Sequence, residues 1–123
     1  ADAVLLIAAL FEAGPLARYV SLAVELGLTP LVEVHDEREA DLALESGAQA
    51  VGVNNRDLRD FTVDLTTTEK LAGTLAGATL VAESGVKTPE DARRLREAGA
   101  DAVLVGEAAM RDPSLVAKLS ALT

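Results

Sequence analysis

The chain of 123 residues contains no cysteine, no tryptophan and only one histidine, His35. Disulfide bonds, thiolate metal sites and clusters of histidine ligands are therefore excluded within it. Aromatic residues are also rare, being limited to Phe11, Tyr19 and Phe61. The core must consequently consist of Ala, Val, Leu and Ile, a composition that suits buried parallel strands covered by helices.

Basic residues are scarce as well, with 11 Lys and Arg against 20 Asp and Glu and a formal net charge of −9. Nucleic acids and anionic membrane surfaces require a basic face, so this charge argues against both as partners. The apolar opening segment, residues 1–10, is too short to span a bilayer and lacks the features of a signal peptide. These observations predict a cytoplasmic protein.

Five short apolar segments rich in Val, Leu and Ile predict strands that are buried on both faces. Amphipathic segments with helical spacing alternate with them. The predicted strands are residues 3–8, 30–35, 50–54, 79–83 and 102–106, and the predicted helices are residues 16–26, 37–45, 66–75, 89–98 and 113–122. A further short helical turn is predicted directly after Gly106.

Capping signals mark the beginnings of four helices. Asp36 and Asp112 are suitable N-caps for the helices that follow them. The Thr-Thr-Thr-Glu segment at residues 66–69 predicts a capping box. Thr88 is followed by Pro89 and two acidic residues, which predicts a helix with Thr88 as its N-cap.

Strands that alternate with helices predict βα units and a parallel sheet in one domain, residues 1–123. A (βα)8 barrel needs eight strands and about 250 residues. Five units therefore predict either part of such a barrel, with open edges, or an open doubly wound sheet like that of flavodoxin. Residues 46–51 and 98–103 are similar segments in which a helix ends at a glycine and a strand follows. The chain begins with the second half of such a segment, so we expect it to start within a larger array of βα units.

In both architectures ligand sites form at the carboxyl ends of the strands. Glu33 lies at such an end between Val32 and Val34. We expect this apolar setting to raise the pKa of its carboxyl group and to suit general acid–base catalysis. The alternative is a structural carboxylate that pairs with an Arg or Lys of a neighbouring strand.

The third strand ends in Asn54, whose amide can donate to a hydroxyl group or an oxyanion, or can form a turn together with Asn55. Arg56 can bind a carboxylate in a forked geometry or pair with Asp57 or Glu83. For His35, a role as a loop residue that caps the next helix is favoured over a catalytic role.

The fourth and fifth strand ends predict a phosphate site. Glu83, Ser84 and Gly85 combine a carboxylate, a hydroxyl group and a backbone that a ligand can approach closely. Gly106 and Glu107 end the last strand, where barrels often bind phosphate through backbone N–H groups. Glu107 would contribute its N–H group, because its carboxylate would repel the anion.

Five segments, in this order, resemble the indole-3-glycerol-phosphate synthase family along essentially the whole chain. They are DAVLLIAAL, LVEVHDE, GVNNRDL, VAESGVKTPED and DAVLVGEAAM. The NNRDL and ESGVKTPED segments are the most diagnostic, whereas GADAVLVG recurs in other phosphate-binding barrels. The resemblance implies strands four to eight of a (βα)8 barrel, followed by its last helix.

The resemblance also implies an activity and its residues. Family enzymes close the indole ring of a carboxyphenylamino-deoxyribulose phosphate with loss of CO2 and water, and they use no metal or organic cofactor. Glu33 is similar to the carboxylate that transfers protons during dehydration, Asn54 to the amide that holds a substrate hydroxyl, and Glu83 to the carboxylate of strand seven. Further positions match substrate contacts: Ser84, Gly85, Gly106 and Glu107 for the phosphate, and Leu6 or Ile7 for the floor of the aromatic pocket. Many relatives have Ser or Thr at the position of Glu107. Glutamate lacks the hydroxyl group that would contact the phosphate there, so only the backbone N–H contact remains for Glu107.

The family's strands one and three supply a Glu and two lysines, including the general acid, which this chain does not contain. Arg56 does not release a proton near neutral pH, and Lys87 lies beyond its turn. We therefore expect the chain alone to be inactive and to need the missing strands or self-association. The alternatives are a non-catalytic folding module and a barrel of the phosphoribosylanthranilate isomerase type, against which the absence of cysteine argues.

Overall fold

Five parallel strands form one sheet in the computed structural model, which describes residues 1–122. Each strand pairs with its neighbours in the chain, in the order β1-β2-β3-β4-β5. The strands are β1 (Ala3–Ile7), β2 (Thr29–Val34), β3 (Ala50–Asn54), β4 (Thr79–Glu83) and β5 (Ala102–Leu104). The predicted strands are thus confirmed, although β5 ends two residues earlier than expected.

Helices connect and follow these strands, as predicted. They are α1 (Ala13–Glu25), α2 (Glu37–Glu45), α3 (Thr66–Leu71), α4 (Pro89–Ala98), α5 (Glu107–Arg111) and α6 (Ser114–Ser120). A short 3-10 turn, Ala8–Leu10, follows β1 and was not predicted. None of the helices between residues 1 and 122 has the length and apolar character needed to cross a membrane.

The strand order decides between the two predicted architectures. In a doubly wound sheet the order reverses at a switch point, as in the flavodoxin order 2-1-3-4-5. Here every strand lies beside the strand that precedes it in the chain, which is the arrangement of a barrel wall. The sheet is therefore part of a (βα)8 barrel, and the flavodoxin-like alternative is wrong.

The two faces of the sheet differ in their environment. One face packs against the helices, and its largest core cluster combines strand residues with helix residues: Leu6, Val32, Val34, Val51, Val53 and Leu80 with Leu16, Val20, Ala40, Ala43, Leu71 and Leu75. The opposite face, here called the inner face, carries Leu5, Glu33, Gly52, Glu83 and Leu104. Leu5 and Leu104, on the two edge strands, are 49% and 58% exposed.

The capping predictions hold at two helices. The Asp36 side chain accepts a hydrogen bond from the backbone N–H of Glu39 at 2.8 Å, which caps α2. Thr88 and Asp91 form a reciprocal capping box at α4, with Pro89 in its first turn. Gly99 ends α4 with a φ of 119°, a left-handed conformation that glycine adopts without a steric cost.

The capping predictions fail in part at α3 and α6. The capping box predicted from Thr66 is wrong, because the residue at the N-cap of α3 is Leu65, which makes no side-chain cap. Asp64 instead accepts from the N–H of Thr66 at 2.9 Å, as a short carboxylate side chain does two residues ahead of a donor. Asp112 accepts from the N–H of Ser114 at 3.1 Å, so α6 begins one residue later than predicted.

Candidate active site

Three polar side chains meet at the carboxyl ends of β2, β3 and β4. Glu33 pairs in register with Gly52, and Asn54 pairs with Glu83. Residues paired in a parallel sheet share a face, so Glu33, Asn54 and Glu83 all lie on the inner face. All three are buried, and Glu83 is only 4% exposed. Polar groups that are buried together in this way need partners or a function, because their desolvation is costly.

A cavity of about 880 Å³ opens over these residues. Its lining includes all but one of the residues that the sequence predicted for a site: Glu33, Asn54, Arg56, Glu83, Ser84, Gly85, Gly106 and Glu107. A second cavity, of about 840 Å³, lies beside the opposite end of β5 and is lined by residues of α4 and the last helix, such as Ala92 and Leu119. That second cavity contains none of the predicted residues.

Leu6 is the predicted residue that the structure does not bring to the cavity. It pairs with Val32 and belongs to the core cluster under the helices. Its neighbour Ile7 pairs with Glu33 and therefore lies on the inner face. The reason is the alternation of side chains along a strand, which places consecutive residues on opposite faces. Of the two residues proposed for the pocket floor, Ile7 is the one on the inner face, but neither residue lines the cavity.

Among the residues that line the cavity, Glu83 has a carboxyl group with a raised pKa. Burial, together with a hydrogen-bonding interaction with Glu33 and repulsion from its charge, raises the pKa of Glu83 to about 8. The Oε1 atom of Glu83 has no hydrogen-bond partner among the described residues. Neither Glu33 nor Glu83 forms an ion pair with a Lys or Arg of residues 1–122. The alternative of a structural ion pair for Glu33 therefore finds no partner in this part of the chain.

Asn54 is held in one orientation by two donors. Its Oδ1 atom accepts from the backbone N–H of Arg56 at 2.9 Å and from the hydroxyl group of Ser84 at 2.9 Å. Because the carbonyl oxygen is engaged in this way, the amide offers its Nδ2 hydrogens as donors. Asn54 is thus suited to hold an acceptor such as a substrate hydroxyl oxygen.

Asn55 was predicted to form a turn together with Asn54, but its side chain has a larger structural role. Its side chain is completely buried and donates from Nδ2 to the carbonyl oxygen of Ser84 at 3.1 Å. Its Oδ1 atom accepts from both the N–H and the hydroxyl group of Thr68, at 3.2 and 2.8 Å. The residue therefore connects the ends of β3 and β4 to α3. A motif of two adjacent asparagines was the only sequence signal for this role.

The chain changes direction sharply after β4. Ser84 and Gly85 both have positive φ angles, 67° and 86°. This conformation costs a non-glycine residue about 1 kcal/mol or more, and such residues concentrate at functional sites. A Cβ atom on Gly85 would lie 2.7 Å from Val63 Cγ1 and 2.8 Å from Leu65 Cδ2, so only glycine fits. The turn brings backbone and hydroxyl groups to the cavity together.

The cavity also contains cationic side chains, which Glu107 partly neutralises. Glu107 lies 3.6 Å from Arg56 and 2.8 Å from Arg111. The predicted partners of Arg56, Asp57 and Glu83, are both wrong, because α5 brings Glu107 to it instead. Arg111 lines the cavity and was not predicted, although its spacing of four residues from Glu107 on a helix was a usable signal.

His35 does not cap the following helix, contrary to the prediction, because Asp36 does so. Its Nδ1 atom lies 2.7 Å from the carbonyl oxygen of Asn54, and its Nε2 atom lies 3.5 Å from Asp57. A hydrogen bond from the Arg59 side chain holds the pKa of the Asp57 carboxyl group well below its usual range. His35 therefore links the ends of β2 and β3 outside the cavity lining. No group of three or more His, Asp or Glu side chains in residues 1–122 is arranged to hold a metal ion.

Comparison with known proteins gives a consistent family. The family model for indole-3-glycerol phosphate synthase matches residues 1–122. The indole-3-glycerol phosphate synthase of Acetivibrio thermocellus is 51% identical over 120 residues, which cover 97% of this chain and 46% of that protein. The enzyme of Chlorobaculum tepidum is 53% identical over 116 residues, which cover 94% of this chain and 45% of that protein. The chain thus spans about half the length of the curated relatives it matches.

Solved structures that resemble the chain support the fold alone, because their sequences are distant. Thiamine phosphate pyrophosphorylase from Pyrococcus furiosus has a TM-score of 0.76 and 24% identity, and the match covers 99% of this chain and 59% of that one. A 3-hexulose-6-phosphate synthase has a TM-score of 0.70 and 23% identity, covering 98% of this chain and 61% of that one.

Proposed function

Because the chain belongs to the indole-3-glycerol phosphate synthase family, we propose that it supplies strands four to eight of that enzyme's barrel and the catalytic groups they carry. The reaction is the ring closure of 1-(2-carboxyphenylamino)-1-deoxyribulose 5-phosphate, with loss of CO2 and water, by a carboxy-lyase of tryptophan biosynthesis. The observation that carries the proposal is the group formed by Glu33, Asn54, Glu83 and Ser84, which meet in one cavity at adjacent strand ends.

The chemistry assigns a role to each carboxyl group. Ring closure joins the aromatic carbon that bears the carboxylate to the substrate's ketone carbon and releases CO2. The general acid that the resemblance assigns to the missing strands protonates the ketone oxygen. The hydroxyl group so formed then takes a proton from Glu83 and leaves as water, while a neighbouring carbon loses a proton. Glu33 accepts that proton, and Asn54 donates a hydrogen bond to a substrate hydroxyl. Glu83, which retains its proton at neutral pH, donates a hydrogen bond to the substrate.

The anionic groups of the substrate bind at the rim of the cavity. The phosphate accepts hydrogen bonds from the backbone N–H groups of Gly85, Gly106 and Glu107. It also accepts one from the Ser84 hydroxyl group, which must release Asn54 Oδ1 to donate it, while the N–H of Arg56 keeps Asn54 oriented. The substrate carboxylate binds Arg56, a planar donor that matches a carboxylate in a forked geometry. To do so it displaces the Glu107 carboxylate, which lies 3.6 Å from Arg56.

The resemblance implies that a Glu and two lysines on strands one and three complete the site. We therefore propose that the 123-residue chain does not turn over substrate alone. Adding a polypeptide with the first three strands of the Acetivibrio thermocellus relative should restore activity, followed by indole absorbance. The Glu33→Gln variant is the control and should remain inactive after the addition. Turnover by the isolated chain would contradict the proposed division of catalytic groups, and a folded but inactive complex would contradict the proposed function.

A second candidate is a non-catalytic half-barrel that associates with itself. The observations that favour it are the two edge strands, β1 and β5, and the exposed side chains of Leu5 and Leu104 on the inner face. The solution mass, compared with 12.7 kDa for one chain, tests self-association directly. The cytoplasmic location and the exclusion of nucleic acid stay predictions from composition.

A further inference from the structure

Gly52 occupies a position in the sheet where glycine is unfavourable. It lies within β3, the central strand, with β2 on one side and β4 on the other. Glycine in a strand interior loses backbone entropy and contributes no side-chain packing, at a cost of about 0.5–1 kcal/mol relative to alanine. Its φ angle is not in the left-handed region, in contrast to four other glycines of the chain. The backbone conformation therefore does not require glycine, and the requirement must be for space.

The space above Gly52 is filled by the Glu83 side chain. A Cβ atom added at Gly52 would overlap Glu83 Oε1 and lie 2.9 Å from Glu83 Cδ. The three nearest heavy atoms all belong to this one side chain. Glu33, on the other side of β3, is the residue in register with Gly52. Gly52 thus separates the two glutamates in the sheet without placing any atom between their side chains.

We infer that Gly52 is a positioning residue, whose missing side chain lets the Glu83 carboxyl group lie across β3 and share one proton with the Glu33 carboxyl group. The inference deepens the proposed function and rests on it for its catalytic meaning. With one proton between them at neutral pH, one carboxyl group can donate while the other accepts. When the leaving hydroxyl group takes the proton of Glu83, the proton that Glu33 takes from the substrate carbon can pass to Glu83, and the pair again holds one proton without exchange with solvent.

The Gly52→Ala variant tests the inference in the 123-residue chain. The added methyl group overlaps the far end of a flexible side chain, so the Glu83 carboxyl group should move away from Glu33 while the strand stays intact. The titration of the Glu83 carboxyl group can be followed by 13C NMR. Its midpoint is expected near pH 8 in the wild type and should fall by about one pH unit or more in the variant. An unchanged midpoint would overturn the inference.

Two further variants guard against a purely structural effect. Gly73→Ala is the matched control, since a Cβ atom there would have nothing within 4 Å, and it should leave the Glu83 midpoint unchanged. Gly52→Ala in a Glu83→Ala background removes the overlapping side chain and should fold as well as Glu83→Ala alone. If Gly52→Ala unfolds the chain in both backgrounds, Gly52 serves the strand itself and the inference is wrong.

The same variant in the completed barrel connects the inference to catalysis. We expect the alkaline limb of the kcat profile to move to lower pH in Gly52→Ala while KM changes little, because the phosphate contacts lie on other residues. An unmoved limb would contradict the catalytic part of the inference. If the completed wild-type barrel fails to turn over but the NMR midpoint still moves, the proposed function fails and the pairing of the two carboxyl groups stands.

Discussion

At the scale of single residues, the Glu83 carboxyl group makes stability depend on pH. Its pKa is raised from 4.5 to about 8, first by burial and then by Glu33. Below pH 4.5 both the folded and the unfolded chain hold this proton, so the group does not make the free energy of unfolding depend on pH there. As the pH rises towards 8, the unfolded chain releases the proton and the folded chain does not, which lowers the free energy of unfolding.

The Glu83→Gln variant should remove this dependence, because glutamine resembles the protonated carboxyl group and does not titrate. Its gain in stability over the wild type should be small at acidic pH and should grow until the pH reaches about 8. Urea unfolding at several pH values measures the gain. Glu45→Gln, an exposed substitution on α2, is the control. A gain that is constant with pH would show that Glu83 does not titrate as stated.

Asn55→Ala should destabilise the chain by about 2–4 kcal/mol, because it removes three buried side-chain hydrogen bonds and leaves partners unsatisfied. Asn55→Asp retains the acceptor for Thr68, and at acidic pH its protonated carboxyl group can also donate to Ser84, so its cost there should be smaller. Denaturant midpoints provide the measurement. An alanine variant as stable as the wild type would refute the connecting role of Asn55.

The positions of the site residues at strand ends could be predicted from the sequence, whereas the interaction partners of their side chains could not. Glu33, Asn54 and Glu83 could be placed close together because the carboxyl ends of parallel strands lie on the same side of the sheet. The choice between Leu6 and Ile7 depended on which residue pairs with Glu33, a register that short apolar runs do not reveal. The partner of Arg56 lies in α5, far along the chain, and only the fold brings Glu107 to it.

At the scale of elements, the capping box of α4 should contribute measurably to stability. Thr88→Ala removes the acceptor for the N–H of Asp91 and should cost about 1 kcal/mol. Thr88→Ser retains a hydroxyl group and should cost less. Thermal or urea unfolding compares the three chains. Equal loss in both variants would indicate that the Thr88 methyl group, and not its hydroxyl group, stabilises this end.

The accuracy of the predicted boundaries also follows from local chemistry. The bounds of α2, β3 and β4 were predicted without error, because caps or abrupt changes in polarity mark them. The predicted end of α3 was too late, since the apolar spacing of Leu71 and Leu75 continues through turns that contain Gly73 and Gly77. β5 ended early because it pairs only with β4 and only over three residues.

At the scale of the whole molecule, the two edge strands expose Leu5 and Leu104 at the margins of the inner face. If the chain associates with itself through them, Leu104→Lys should shift the solution mass towards 12.7 kDa, because a charge on an exposed edge opposes pairing. Val116→Lys, an exposed substitution on α6, should not have this effect. Light scattering over a concentration series separates these cases. The same mass for the wild type and Leu104→Lys would exclude this face as the contact.

The sequential strand order has a consequence for how the protein folds. Within residues 1–122 every strand pairs only with strands that are adjacent in the chain, so the strand pairing joins neighbouring βα units. Such a topology has a low contact order for a sheet protein, because no distant segment must be found before a strand is paired. Each unit that leaves the ribosome can add to the edge of the unit before it. The wall can therefore grow in the direction of synthesis, and the last strand made is the last to find its place.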